Sequence, residues 1–167
     1  MRAVLFDLDG TLIDSLPNIR DAANAVLAER GLPALTSETI AGFVGLGEQV
    51  FIDRLIGATD LEGAERAWVM ERFIGHYRIE AGKTVVFHGV VEALTALHQS
   101  GTPVGLVTNK PRAPLGPTLA SAGIEAFFDV VVAGDDLPKR KPDPMQLTHA
   151  MAQLGVADCV YVGDSET

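Results

Sequence analysis

The stretch Val4-Leu5-Phe6-Asp7-Leu8-Asp9-Gly10-Thr11 constrains this chain more than any other. The branched apolar run from Ala3 to Leu8 is too short for a globular helix and reads as a strand covered on both faces. Asp7 and Asp9 are two positions apart, so on an ideal strand both side chains point to one face, and Gly10 lets the backbone turn close to a ligand. Two acids then share one small space, which is unfavourable unless a cation lies between them or one holds a proton. Asp9-Gly10 alone also reads as a plain turn. The specific signal is DLDGT placed directly after an apolar strand.

The chain after Thr11 divides into two kinds of sequence. From Ser15 to Lys83 the pattern is helical. Ile19, Ala22, Ala23, Val26 and Leu27 recur at helical spacing before Gly31 and Pro33, and Thr36 or Ser37 can cap a second helix ending near Gly42. A third helix runs from about Glu48 to Ile56. A fourth, from about Leu61 to Ala81, offers Leu61, Ala64, Trp68, Phe73 and Tyr77 as its buried stripe.

From Thr84 helices and strands alternate. Helices are expected over 89–100, 111–122 and 143–154, and strands over 103–107, 130–133 and 159–162. Such alternation implies parallel pairing. The expected fold is therefore α/β, a doubly wound, Rossmann-like parallel sheet interrupted by an inserted all-helical cap. The core is placed at 1–14 and 84–167 and the cap at 15–83.

Ligands of parallel α/β sheets sit beyond the C-terminal strand ends. Here those ends carry Asp7 and Asp9, then Thr108-Asn109-Lys110, then Asp135-Asp136, then Gly163-Asp164-Ser165-Glu166. Thr108 and Asn109 can donate hydrogen bonds to phosphoryl oxygens, or cap the helix that enters at Pro111. Lys139-Arg140-Lys141-Pro142-Asp143-Pro144 reads either as a solvated basic loop or as a carrier that delivers Lys141 to the crowded acids. Asp164 suits Mg²⁺, which prefers hard oxygens, and Gly163-Asp164 also suits a turn. Gly45-Leu46-Gly47-Glu48, ahead of the third helix, can present N–H groups to a substrate carboxylate or simply join two helices.

The net charge is −9, from 13 basic and 22 acidic residues. Such a surface repels nucleic-acid backbones, and it repels small anionic substrates unless the local field at the site is reversed. The single cysteine, Cys159, rules out an internal disulfide and reads as a buried, inert thiol. No signal peptide precedes the first strand and no apolar run reaches membrane-spanning length. A cytoplasmic enzyme without nucleic-acid or membrane partners is expected.

In order along the chain, DLDGT at 7–11, Thr108-Asn109, Lys141 in KPDP and Gly163-Asp164 resemble the motifs of haloacid dehalogenase-like phosphatases. The helical block also sits where that family carries a cap. LVTNKP, Asp135-Asp136, RKPDP and YVGDSE are most similar to its phosphoglycolate phosphatase branch. The resemblance implies that Asp7 is a nucleophile forming an aspartyl-phosphate and Asp9 a general acid, then base. It implies that Thr108, Asn109 and Lys141 hold the phosphoryl group. It further implies that Asp7, Asp9 and Asp164 form a Mg²⁺ site, and that the substrate is a small phosphorylated metabolite, with 2-phosphoglycolate in first place. A β-phosphoglucomutase-like phosphomutase would share Asp7 and Asp9, and a non-catalytic binding domain would keep only the fold. The family pattern continues GDSxxD, whereas this sequence reaches Thr167 first. Glu166 is a poor positional substitute, so a core truncated at its C-terminus and a longer natural protein are expected.

Overall fold

The computed structural model describes residues 2–61 and 65–165; the expected stripe residue Ala64 and the acid Glu166 lie outside them. β1 (Arg2–Phe6) pairs in parallel with β4 (Val104–Val107) on one side and β6 (Asp158–Val162) on the other, and β5 (Val130–Val132) pairs in parallel with β4. The strand order is β5-β4-β1-β6, so the strand bearing the acidic turn is internal. Leu5 and Leu106 are completely buried between the helical layers. Truncating either to alanine would remove about 2–5 kcal/mol of stability.

β1 ends at Phe6, two residues before the apolar run does. Leu8 is fully buried but lies in the turn, so its burial, rather than strand alternation, carries the apolar pattern onward. A two-residue antiparallel pair, β2 (Ile13–Asp14) with β3 (Val85–Val86), was not legible as strand. Each strand is too short to carry an alternation signal.

Between β2 and β3 the described elements are all helical: α1 (Leu16–Ala28), α2 (Ser37–Ala41), α3 (Glu48–Gly57), α4 (Arg66–Glu80) and a 3-10 turn over Ala81–Lys83. Thr36 is the N-cap of α2, its hydroxyl accepting from Thr39 N–H. These helices bury their own cluster, which includes Val26, Leu27, Ile52, Leu55, Val69 and Phe73. The buried positions of α4 are Val69, Phe73 and Tyr77. Trp68 packs at the margin of this cluster, partly exposed under the Arg30 guanidinium, 4.2 Å from its ring centre, one residue and 100° of helix rotation from Val69.

α5 (Val90–Gln99) and α6 (Arg112–Ala122) pack on one sheet face, and α7 (Met145–Leu154) on the other. Helices on both faces make this the expected α/β fold. Cys159 is partly rather than fully buried on β6, and Val160 and Val162 of the same strand are more than a third exposed. Among the described residues no helix is long and apolar enough to cross a membrane.

Candidate active site

The turn after β1 is closed by its own backbone. Leu8 C=O accepts from Leu12 N–H at 2.9 Å, and Gly10 N–H donates to Ile13 C=O at 3.0 Å. Gly10 sits at φ +80°, a conformation that a side chain would strain. Asp7 N–H donates to Val162 C=O, and Leu8 N–H donates to Asp7 Oδ1 at 2.8 Å, which fixes the carboxylate at the strand end.

Each acid has acquired its own ammonium. Lys141 Nζ lies 2.8 Å from Asp7 Oδ2 and donates to the Tyr161 hydroxyl at 2.5 Å. Lys110 Nζ lies 2.9 Å from Asp9 Oδ1 and donates to the hydroxyl of Tyr77 on α4. Both lysines are buried. Burial raises the Asp7 carboxyl above its ordinary value, Lys141 pulls it down, and neighbouring Asp9 pushes it up again. Burial would lower the Lys110 ammonium, but Asp9 and Tyr77 outweigh it and hold it above its ordinary value.

At the end of β4, Thr108 Oγ1 accepts from Lys110 N–H at 3.1 Å. The expected phosphate donor Asn109 is spent elsewhere: its amide donates to Lys141 C=O at 3.1 Å and to Gly45 C=O at 3.3 Å, and its Oδ1 accepts from Lys141 N–H. A primary amide has two N–H donors, so in this arrangement the side chain positions Lys141 and the insert rather than offering a donor to the cavity. Gln146 Oε1 accepts from the same Lys141 N–H at 3.1 Å. Asp135 and Asp136, at the end of β5, hold Arg112 at the start of α6. Asp164 follows β6, and a Cβ built on Gly10 would lie 2.3 Å from its Oδ2. The turn can approach that carboxylate only because residue 10 has no side chain.

These strand ends and the insert line an open cavity of about 220 Å³. Asp7, Asp9, Thr108, Asn109, Lys110 and Asp164 line it from the core. Gly45, Gly47 and Glu48 join them from the insert, with Phe51, Phe73 and Ile74 forming an apolar wall. Lys141 reaches Asp7 from behind. Sequence reasoning singled out Asp7, Asp9, Thr108, Asn109, Asp164 and Lys141 but missed the parts played by Lys110, Tyr77 and Tyr161. Lys110 was read only as a polar strand end, and Tyr161 is hidden in an apolar run, whose period-2 pattern carries no sign of what its hydroxyl meets.

Asp7, Asp9 and Asp164 supply the hard oxygens that Mg²⁺ prefers, and the side-chain-free slot at Gly10 admits Asp164 to the turn, so the donor chemistry fits this ion. The expected three-carboxylate group is not assembled, however. Among the described residues no three His, Cys, Asp or Glu side chains converge as a metal site. Asp9 is engaged by Lys110 and Asp7 by Lys141. Mg²⁺ is commonly held by one or two carboxylates with water and substrate phosphate, a requirement that Asp7 and Asp164 can meet.

Residues 4–167 match the family model described as haloacid dehalogenase-like hydrolase. A phosphoglycolate phosphatase of Cereibacter sphaeroides is 43% identical over 169 residues, covering 99% of this chain and 78% of the relative. A phosphoglycolate phosphatase of Cupriavidus necator is 44% identical over 167 residues, 98% of this chain and 72% of the relative. Among solved structures, that of a predicted phosphoglycolate phosphatase from Haemophilus somnus superposes with a TM-score of 0.90 at 29% identity, covering 98% of this chain and 77% of the other.

Proposed function

Because the chain belongs to the haloacid dehalogenase-like hydrolase family, we propose that it is a Mg²⁺-dependent phosphoric monoester hydrolase acting on a small phosphorylated metabolite, with 2-phosphoglycolate as the first candidate. One observation carries the reading: two carboxylates two residues apart, each paired with a buried lysine, open into one small cavity. That volume is below the roughly 300–1,000 Å³ of drug-sized ligand sites, which favours a small ester.

In this reading the carboxylate of Asp7 attacks phosphorus. Lys141 neutralises part of the charge that gathers there and keeps Asp7 oriented. The P–O bond to the leaving group breaks, and Asp9 donates a proton to the departing oxygen. The aspartyl-phosphate is then attacked at phosphorus by water, whose proton returns to Asp9, and phosphate leaves as Asp7 is regenerated. Thr108 lies against the phosphoryl group, and Asn109 acts by holding Lys141. Asp7 and Asp164, with Asp9 alongside, are the residues that would hold Mg²⁺. Bound there, the ion offsets repulsion between an anionic nucleophile and an anionic ester. The insert over 15–83 is the cap that excludes water. The reaction is hydrolysis and takes place in the cytoplasm.

The test is phosphate release from a panel of small esters with Mg²⁺ present. Free phosphate supports the proposal. A sugar-phosphate isomer formed without free phosphate would replace it with phosphomutase, and no turnover of any ester would leave a binding domain. Asp7→Asn should abolish both turnover and covalent labelling by a phosphoryl donor; an active Asp7→Asn enzyme removes the nucleophile assignment.

A further inference from the structure

Lys110 holds an unusual position in the cavity. Among the described residues lining it, Lys110 is the sole lysine or arginine, against Asp7, Asp9, Glu48 and Asp164. Its backbone is tied on both sides, N–H to Thr108 Oγ1 at 3.1 Å and C=O from Gly134 N–H at 2.8 Å. An ammonium has three N–H donors. Two are used on Asp9 and the Tyr77 hydroxyl, and among the described residues no other partner takes the third. Tyr77 is itself held, stacked on Phe73 with ring centres 5.7 Å apart.

Among the described residues the insert brings no cation to the cavity lining. Its wall is Phe51, Phe73 and Ile74, and its charged lining group is Glu48, which repels an anion when ionised. The glycine loop is engaged too: Gly45 C=O accepts from Asn109, and the Arg140 guanidinium lies where a Cβ of Gly47 would be, 2.7 Å from it. Arg140 is turned to Glu48, 3.7 Å away, so among the described lining residues Lys110 is the cation that an anionic leaving group meets.

We infer that Lys110, with the Tyr77 hydroxyl beside it, is the specificity-determining residue for the leaving group, its ammonium pairing with a carboxylate carried one carbon from the ester oxygen. The inference rests on the phosphatase reading above, because it takes Asp9 as the acid that touches the leaving oxygen. A general acid works within hydrogen-bond reach of the atom it protonates. Lys110 Nζ is 2.9 Å from that acid, so its charge stands beside the first atoms of the leaving group. In an α-phosphoxy carboxylate such as 2-phosphoglycolate, a single methylene separates the carboxylate from the ester oxygen, and the carboxylate oxygens lie about 3 Å from it. Longer or strongly polar leaving groups meet the apolar wall instead.

The experiment compares kcat/KM for 2-phosphoglycolate with that for ethyl phosphate, which replaces the carboxylate by a methyl group. Lys110→Met should lower the ratio of the two by about 10- to 100-fold, the effect of losing a charged hydrogen-bond partner, whatever loss is common to both esters. Lys110→Arg should restore most of the ratio. Tyr77→Phe, which keeps the stacked ring, should lower it by about threefold. An unchanged ratio in Lys110→Met, with both esters falling together, would reduce Lys110 to a support for Asp9 and overturn the inference. Wild-type enzyme that hydrolyses ethyl phosphate but not 2-phosphoglycolate would also overturn it while preserving the phosphatase reading. Hydrolysis of neither ester nor any other would overturn that reading itself.

Discussion

Asp164 Oδ2 occupies the space that a side chain on Gly10 would fill, 2.3 Å from the ideal Cβ position. The turn after β1 and the loop after β6 thus meet through an absent methyl group. Gly10→Ala combines two penalties: an L-residue at φ +80°, worth about 1–2 kcal/mol, and displacement of the Asp164 carboxylate. Phosphatase activity should fall about 100-fold, as expected when a site group moves by about 1 Å. The Mg²⁺ concentration for half-maximal activity should rise with it. A Mg²⁺ titration of Gly10→Ala that overlays the wild-type curve would separate Asp164 from the metal.

Lys141 is fixed at both ends, its N–H by Asn109 and Gln146 and its Nζ by Asp7 and Tyr161. Lys141→Met leaves a partly buried carboxylate without its cation, and kcat should drop by about 10²–10³-fold. Because Lys141 lowers the Asp7 pKa against burial, its loss should also move the acid limb of the pH–rate profile to higher pH if, as proposed, ionised Asp7 is the attacking group. Tyr161→Phe removes one oxygen and keeps the ring, so a loss of about tenfold is expected. If Tyr161→Phe is as damaging as Lys141→Met, the hydroxyl does more than position the ammonium.

What could be read in advance follows the range of the interactions involved. Strands β1, β4, β5 and β6 are short apolar runs whose identity depends on local composition, and α1 follows from local helical spacing. The acids at 7, 9 and 164 are legible because they stand at strand ends, where polar residues are conspicuous. The end of β1 was misplaced because Leu8 is buried by the turn, not by a neighbouring strand. The lysine at 110 was in plain sight, but its meaning lies in Tyr77, 33 residues earlier on a different element, and in Asp9, 101 residues earlier. No periodicity encodes such meetings. The same holds for Asn109, whose amide is taken up by the carbonyls of Lys141 and Gly45, 32 and 64 residues away.

Gly134, after β5, is a second place where backbone replaces side chain. A Cβ there would lie 2.1 Å from the carbonyl oxygen of Asn109, which is main chain and cannot swing aside. Gly134→Ala should destabilise by about 2–3 kcal/mol and shift the loop carrying Thr108 to Lys110, lowering activity as well. Gly75 in α4, with no neighbouring element of the described residues within 4 Å of its Cβ position, is the control: Gly75→Ala should be neutral or stabilise by about 0.5–1 kcal/mol. Melting temperatures and phosphate release measured on both variants check the contrast, and equal stability for the two would refute the close approach at Gly134.

The insert should show its own acid sensitivity through Glu29, which joins the end of α1 to α4. Arg72 grips this carboxylate with Nη2 at 2.6 Å and Nε at 2.8 Å, and His76 Nε2 lies 2.6 Å from Oε1. Hydrogen bonds from Arg72 first, then His76, lower its pKa from an ordinary value near 4.5 to about 2. A carboxyl depressed on folding lends stability that is fully present above its unfolded pKa and is lost as pH falls through the folded one. Glu29→Gln should therefore melt below wild type at pH 6–7, and the gap should narrow between about pH 4.5 and pH 2. Raising the salt at neutral pH should narrow it too, because the group is partly open to solvent. Glu29, Arg72 and His76 lie outside the cavity lining, so kcat at neutral pH should be unaffected. A melting difference that stays constant down to pH 2 would mean that packing, and not the charge on Glu29, joins α1 to α4.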